Sequence, residues 1–321
     1  MTRLHAIAAL VLLTAGPAVG ADKVRLGNLK FAHYGAVSYM QEHCARFGLE
    51  VEEIVFPKGI DIFPAIVRGD VDLAASAADA AIANRAGGGR TFVVAGFARG
   101  GARLVAQAGL PLKTVADLKG KKVGVARGGA QELLLLAELA KAGLTWSDKP
   151  GKDVQIVYLP FADLNQALLQ KHLDAMCQSE PQSSQAINKG FGVEMLKPYD
   201  TPLGEPVRVL VMSEQLYRER PEVALRVMKC FVDSTRTFIE DPALARRYVV
   251  EKMFKGQITA QDYDDALSNA AFTYDVTEEH IQITTDLMAR YGVGKMASPP
   301  KAADWVKLDL LRKAKAELGV K

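Results

Sequence analysis

Four short strings hold the residues best suited to chemistry: Lys30-Phe31-Ala32-His33-Tyr34, Ser76-Ala77-Ala78-Asp79, Arg127-Gly128-Gly129-Ala130-Gln131 and Gln178-Ser179-Glu180-Pro181-Gln182. All four suit holding a small molecule better than breaking a bond. Phe31 and Tyr34 can wall in or stack on a ligand. His33 can donate a hydrogen bond to it, or sit as an ordinary loop histidine. Ser76 precedes a helix start, where its hydroxyl either caps the helix or meets an anionic oxygen together with the free N–H groups. Beside Arg127, Gly128 and Gly129 let backbone N–H groups approach a ligand at the start of a helix that includes Gln131. A helix N-terminus favours negative charge by about 0.3–1 kcal/mol, although the glycines also suit a plain turn. Glu180 attracts an amine or a ring N–H if it faces a cleft, and does nothing specific on a surface. Arg99, in Gly96-Phe97-Ala98-Arg99-Gly100-Gly101, offers an anion a planar fork, or is a solvated charge at a chain crossing.

No catalytic or cofactor motif accompanies these strings. A dinucleotide fingerprint needs GxGxxG between a strand and a helix, whereas Gly87-Gly88-Gly89 follows a helix and precedes a strand. There is no Walker A pattern, HExxH, GxSxG elbow or paired Cys/His ligand set. His33, His43, His172 and His280 lie far apart. Neither cofactor nor metal is expected, and no enzymatic activity.

The elements that must position the strings alternate between strand and helix. Val24–Gly27, Glu50–Phe56, Val71–Ala75 and Thr91–Gly96 read as strands, with helical spacing at Asp61–Arg68 and Ala78–Arg85 between them. The rhythm resumes with strands at Leu104–Ala106, Lys121–Ala126, Val154–Leu159 and Leu173–Cys177, and with helices at Gln131–Ala142 and Ala162–Gln170. Val207–Met212 (VRVLVM) reads as a strongly apolar strand, and from Arg220 the pattern is helical to the end. Such a βαβ rhythm predicts mainly parallel sheets covered by helices. In open α/β sheets ligands sit outside the carboxyl ends of the strands, which is where all four strings fall.

The 321 residues are 49% hydrophobic and 24% charged, with a formal net charge of +3. That composition excludes disorder along the whole length, and the interspersed charges leave no footprint for nucleic acid. Residues 1–21 have the parts of a secretory signal peptide: Arg3, an apolar run over Ala6–Ala15, Pro17, and small residues at Val19-Gly20-Ala21 ahead of Asp22. The expected address is extracytoplasmic, with no membrane-embedded segment. Cys44, Cys177 and Cys230 have no metal-like spacing and read as small buried apolar residues, any pairing among them being left open.

Longer strings resemble one known family. Phe56-Pro57-Lys58-Gly59-Ile60-Asp61-Ile62-Phe63-Pro64-Ala65, followed by Val67-Arg68-Gly69-Asp70-Val71-Asp72, is similar to a passage of the periplasmic nitrate-, sulfonate- and taurine-binding proteins. Leu118-Lys119-Gly120-Lys121-Lys122-Val123-Gly124-Val125 resembles their "DLKGKKVGV" strand, and Leu173-Asp174-Ala175 ahead of Ser179-Glu180-Pro181 resembles their "DA….eP" segment. Ser213–Pro221 followed by Val223-Ala224-Leu225 resembles their return into the first lobe. The family usually carries Ser or Thr where this chain has Ala130-Gln131. The resemblance implies an α/β, type II periplasmic binding protein fold, two lobes joined by crossover strands. Lobe 1 would be 22–98 with 213–321, and lobe 2 would be 99–212. It implies a monomer that captures a solute and delivers it to the permease and ATPase of an ABC transporter. The helix terminus at Gly128-Gly129 and Arg99 favour a small organic anion of the sulfonate, carboxylate or aromatic acid type. The Phe31/Tyr34 aromatics and Glu180 leave a pyrimidine or other amine-bearing ligand as the alternative. An enzyme on the same fold is opposed by the absence of the cysteine-rich iron motif of the related pyrimidine synthases, and a sensory module remains a third class.

Overall fold

The computed structural model describes residues 20–320, so the expected leader at 1–21 lies almost wholly outside the described residues. Twelve strands occur among them: β1 (Asp22–Asn28), β2 (Leu49–Val55), β3 (Leu73–Ala77), β4 (Thr91–Gly100), β5 (Ala102–Gln107), β6 (Lys122–Val125), β7 (Trp146–Ser147), β8 (Val154–Tyr158), β9 (Ala175–Ser179), β10 (Gly192–Leu196), β11 (Val207–Ser213) and β12 (Ala270–Phe272). They form two six-stranded sheets, ordered β12-β4-β11-β3-β1-β2 and β10-β5-β9-β6-β8-β7. The helices that bear on the site are α1 (Ala78–Ala86), α2 (Ala130–Lys141), α3 (Phe161–Leu169), α4 (Gln182–Asn188), α5 (Pro221–Glu240), α6 (Ala260–Leu267) and α7 (Glu278–Tyr291).

Two expectations change. The sheets are mixed rather than mainly parallel: β1 runs parallel to β2 and β3, and β6 to β8 and β9, but β11 is antiparallel to β3 and β4, and β5 to β9 and β10. Strands that carry the chain between sheets have no crossover helix to reverse them, so they enter against the parallel set. The tail is not helical throughout, because β12 pairs with the end of β4. Three residues are too few for a period-2 pattern to be visible.

Alternation explains β1, where Val24 and Leu26 are buried and Arg25 reaches sideways to Asp72 with Nε and Nη2 each 3.0 Å from a carboxylate oxygen. The run Leu133–Leu136 in α2 is buried all round because the helix packs between its sheet and α7. Helix α5 starts at Pro221, tolerated in a first turn, and lays Val223, Val227 and Phe231 on the first sheet. That docking brings Cys230 within 5.3 Å (Cα–Cα) of Cys44, and the two form a disulfide across 186 residues. The reading of all three cysteines as plain buried thiols therefore holds only for Cys177. A partner so distant in sequence is visible only once α5 is packed.

The chain leaves the first sheet at Gly100-Gly101, whose φ values of +75° and +79° suit glycine. A Cβ on Gly101 would stand 2.7–2.9 Å from the His33 ring. Val207–Ser213 lies entirely in the first sheet, so the return passage runs between Leu196 and Val207.

Candidate functional site

The carboxyl ends of β1, β3, β6, β8 and β9 converge on a chamber between the lobes. Phe31 and Tyr34 line it from the first lobe, and Arg127, Gly128, Gly129 and Gln131 from the second, as their places after strands require. Phe31 meets Phe161 of the opposite lobe edge to face, with ring centroids 5.2 Å apart. Further links across the interface are the Ala32 N–H donating to the Glu180 carbonyl (3.3 Å) and Trp146 against Tyr291 (5.9 Å).

The other four expected residues stand outside the lining. His33 is fully buried, and its Nε2 accepts a hydrogen bond from Arg208 Nε at 3.2 Å. Burial and the Arg208 charge push its pKa well below the ordinary histidine value, so it is a neutral acceptor that orients an arginine. Ser76 turns its hydroxyl to the Ala77 carbonyl (3.1 Å), and the cap position of α1 is Ala77, so Ser76 is not the cap. Arg99 is exposed on β4, outside the chamber; burial, with the Arg99 charge adding to it, lowers the pKa of His280. Glu180 is fully buried: it is ion-paired with Arg103, whose Nε lies 2.6 Å away, and it accepts hydrogen bonds from Ser184 Oγ at 2.7 Å and Asn269 Nδ2 at 3.1 Å. Burial raises its pKa against the pull of Arg103. Its lone pairs are taken up in this internal tie.

Arg208 is the residue that sequence reading missed. It is 2% exposed, lines the chamber and has no hydrogen-bond partner at Nη1. A buried guanidinium with a free N–H lacks part of its compensation unless an acceptor arrives. The signal was present: one charge inside the apolar run VRVLVM. Lys58, Phe161 and Ser179 join the lining without having been singled out.

The first turns of α1 and α2, at the edge of the chamber, each carry a carboxylate. In α2, Glu132 accepts the Gly128 N–H at 2.6 Å and the Tyr158 hydroxyl at 2.7 Å, with Gly128 held at φ +73°. One of the N–H groups expected to cradle an anion is thereby occupied. Arg127 stacks on Tyr158, 3.6 Å from the ring centroid. In α1, Asp79 is 3% exposed and lines a separate small cavity with Leu133, His280 and Thr284, and neither of its oxygens has a hydrogen-bond partner. Burial raises its pKa to about 7, opposed by the attraction of Arg208. Of the three cationic side chains in the chamber lining, Arg208 alone is buried; Lys58 is half-buried and Arg127 exposed. Among the described residues no group of three or more His, Cys, Asp or Glu could hold a metal ion, and no helix is long and apolar enough to cross a membrane.

Two α/β lobes with a polar chamber at the strand ends between them define the periplasmic binding protein fold. Solved structures agree on that fold. The alkanesulfonate-binding protein SsuA from Xanthomonas axonopodis pv. citri, bound to MOPS, superposes with a TM-score of 0.75 at 20% identity, over 91% of this chain and 100% of that one. The periplasmic nitrate-binding protein NrtA from Synechocystis PCC 6803 gives 0.74 at 18% identity, over 94% of this chain and 90% of its own. Residues 19–253 match the NMT1-like family, and the chain belongs to it. An Escherichia coli (strain K12) protein named for aliphatic sulfonate binding is 34% identical over 150 residues. That match spans 46% of this chain and 45% of the relative, less than half of either.

Proposed function

We propose that the protein is the extracytoplasmic receptor of an ABC importer, capturing a small organic anion between its lobes and delivering it to a permease and ATPase complex. The observation that carries the reading is the buried Arg208, which lines the interlobe chamber and has no hydrogen-bond partner at Nη1. The names of the relatives, which speak of sulfonates and nitrate, point the same way. The Cys44–Cys230 disulfide suits the oxidising compartment to which a leader at 1–21 would direct the chain. In this reading the protein is a monomer and performs no chemistry. Its lobes comprise about 22–100 with 207–320, and 102–196, and ligand contacts to both drive closure.

The test is calorimetric titration with methanesulfonate, nitrate and acetate. Binding of one of these is expected, and Arg208→Met should weaken it about 10- to 100-fold, the range for a lost charge-assisted hydrogen bond of about 1.5–3 kcal/mol. Affinity unchanged in Arg208→Met sinks the reading. A second reading, an amine-bearing ring, is favoured by the unpartnered Asp79 carboxylate. It predicts binding of an aminopyrimidine that Asp79→Asn abolishes and no response to the three anions.

A further inference from the structure

The inner chamber is small. Its free volume is about 20 Å³, close to that of a single water-sized group. Directly in front lies a second, open cavity of about 430 Å³, within the range of small-molecule sites. The two share Leu29, Phe31, Lys58 and Phe161, so the edge-to-face pair of Phe31 and Phe161 stands at the passage between them. Both lobes build this vestibule. Its walls are largely apolar, with Phe56, Pro57 and Phe254 on one side and Pro160 on the other; Gln182, Gln185 and Gln257 also line it, and Lys30 lies 5.2 Å from the Phe254 ring centroid. Val55 is 57% exposed on this surface, a cost if nothing covers it.

Resting on the anion reading above, we propose that the ligand is an arylsulfonate-like anion: its charged head enters the chamber at Arg208, and its flat apolar body lies in the vestibule beyond Phe31 and Phe161. A chamber of one water-sized group cannot enclose an organic anion, so any body attached to the head must extend through the passage. Aromatic and proline faces line that route, and they favour a planar body over a flexible chain through offset or edge-on ring contacts. Lys30 and Lys58 at the rim draw the anion in.

The experiment compares methanesulfonate, benzenesulfonate, naphthalene-2-sulfonate and the uncharged 2-naphthol by calorimetry on the purified chain. Affinity should rise at least tenfold from methanesulfonate to naphthalene-2-sulfonate, and 2-naphthol should not bind. Val55→Asp and Phe161→Ala should each reduce the naphthalene-to-methane affinity ratio at least fivefold. Val55 is exposed enough that its variant tests the subsite without disturbing the core. Methanesulfonate binding as tightly as naphthalene-2-sulfonate, or a ratio unmoved in both variants, overturns the proposal and leaves the anion reading standing. Binding of no anion at all removes the anion reading, and this proposal with it.

Discussion

At the residue scale the site turns on Arg208 and two buried groups coupled to it, the neutral His33 and Asp79. His33 holds Arg208 from one side, and Asp79 is drawn toward the same guanidinium. The Asp79 carboxyl has a folded pKa raised from 3.8 to about 7 by burial. A raised folded pKa means that the native state binds the proton more tightly than the unfolded chain. The associated stability is present below about pH 4 and lost as pH rises through about 7. Asp79→Asn, which stays neutral, should therefore gain stability relative to the parent between pH 4 and 8, by up to about 4 kcal/mol. Urea midpoints at the two pH values check this, and a constant difference would remove the effect. The free arginine fork that sequence reading placed at Arg99 belongs to Arg208, so Arg99→Met should leave anion affinity within about twofold while Arg208→Met does not. Titrating both variants with methanesulfonate decides between them.

At the element scale, the crossover and the ties beside it set the lobe geometry. Gly101 sits at φ +79° with the His33 ring against the place of its missing Cβ. Gly101→Ala combines left-handed strain with a clash, so it should lower stability by about 1–3 kcal/mol and weaken ligand binding through the displaced His33. Thermal melting and titration of one variant give both numbers. Arg103 on β5 joins Glu180, Glu194 and Asp265, the last from α6 of the other lobe. Arg103→Met strands the Glu180 carboxylate in the interior and should cost about 3–5 kcal/mol, part of which Glu180→Gln returns in the double variant. A double variant no more stable than Arg103→Met would show that the pair does not act as a unit.

For the whole molecule, the Cys44–Cys230 bond ties α5 to the segment after β1 across 186 residues. Removing it as a Cys44→Ala/Cys230→Ala pair should cost about 2–5 kcal/mol, measured by denaturant unfolding, while Cys177 stays buried and unreactive until the chain unfolds. The two tryptophans separate lobe motion from local change. Trp146 packs on Tyr291 across the interface, whereas Trp305 is fully buried. A ligand-dependent change in tryptophan emission should vanish in Trp146→Phe. If the change persists there, closure does not move this contact.

Much of this was legible without coordinates. Alternation and helical spacing marked most of the strands and the main helices, because burying one face of an element imposes its period on the residues. The rule that ligands sit beyond the carboxyl ends of strands then placed Phe31, Tyr34, Arg127, Gly128, Gly129 and Gln131 on the chamber. Short strands such as β7 and β12 left too few residues for a period to form. Partners far apart in the chain could not be read either: Cys44 with Cys230, Glu180 with Arg103, and His33 with Arg208. The sequence by itself determined the class of fold and which strand ends face the ligand, since both follow from local pattern and order. Only the tertiary structure decided which polar groups remain free to bind. A buried group's availability depends on neighbours brought to it from elsewhere, and these neutralise Glu180 and occupy Gly128 while leaving Arg208 with an open N–H.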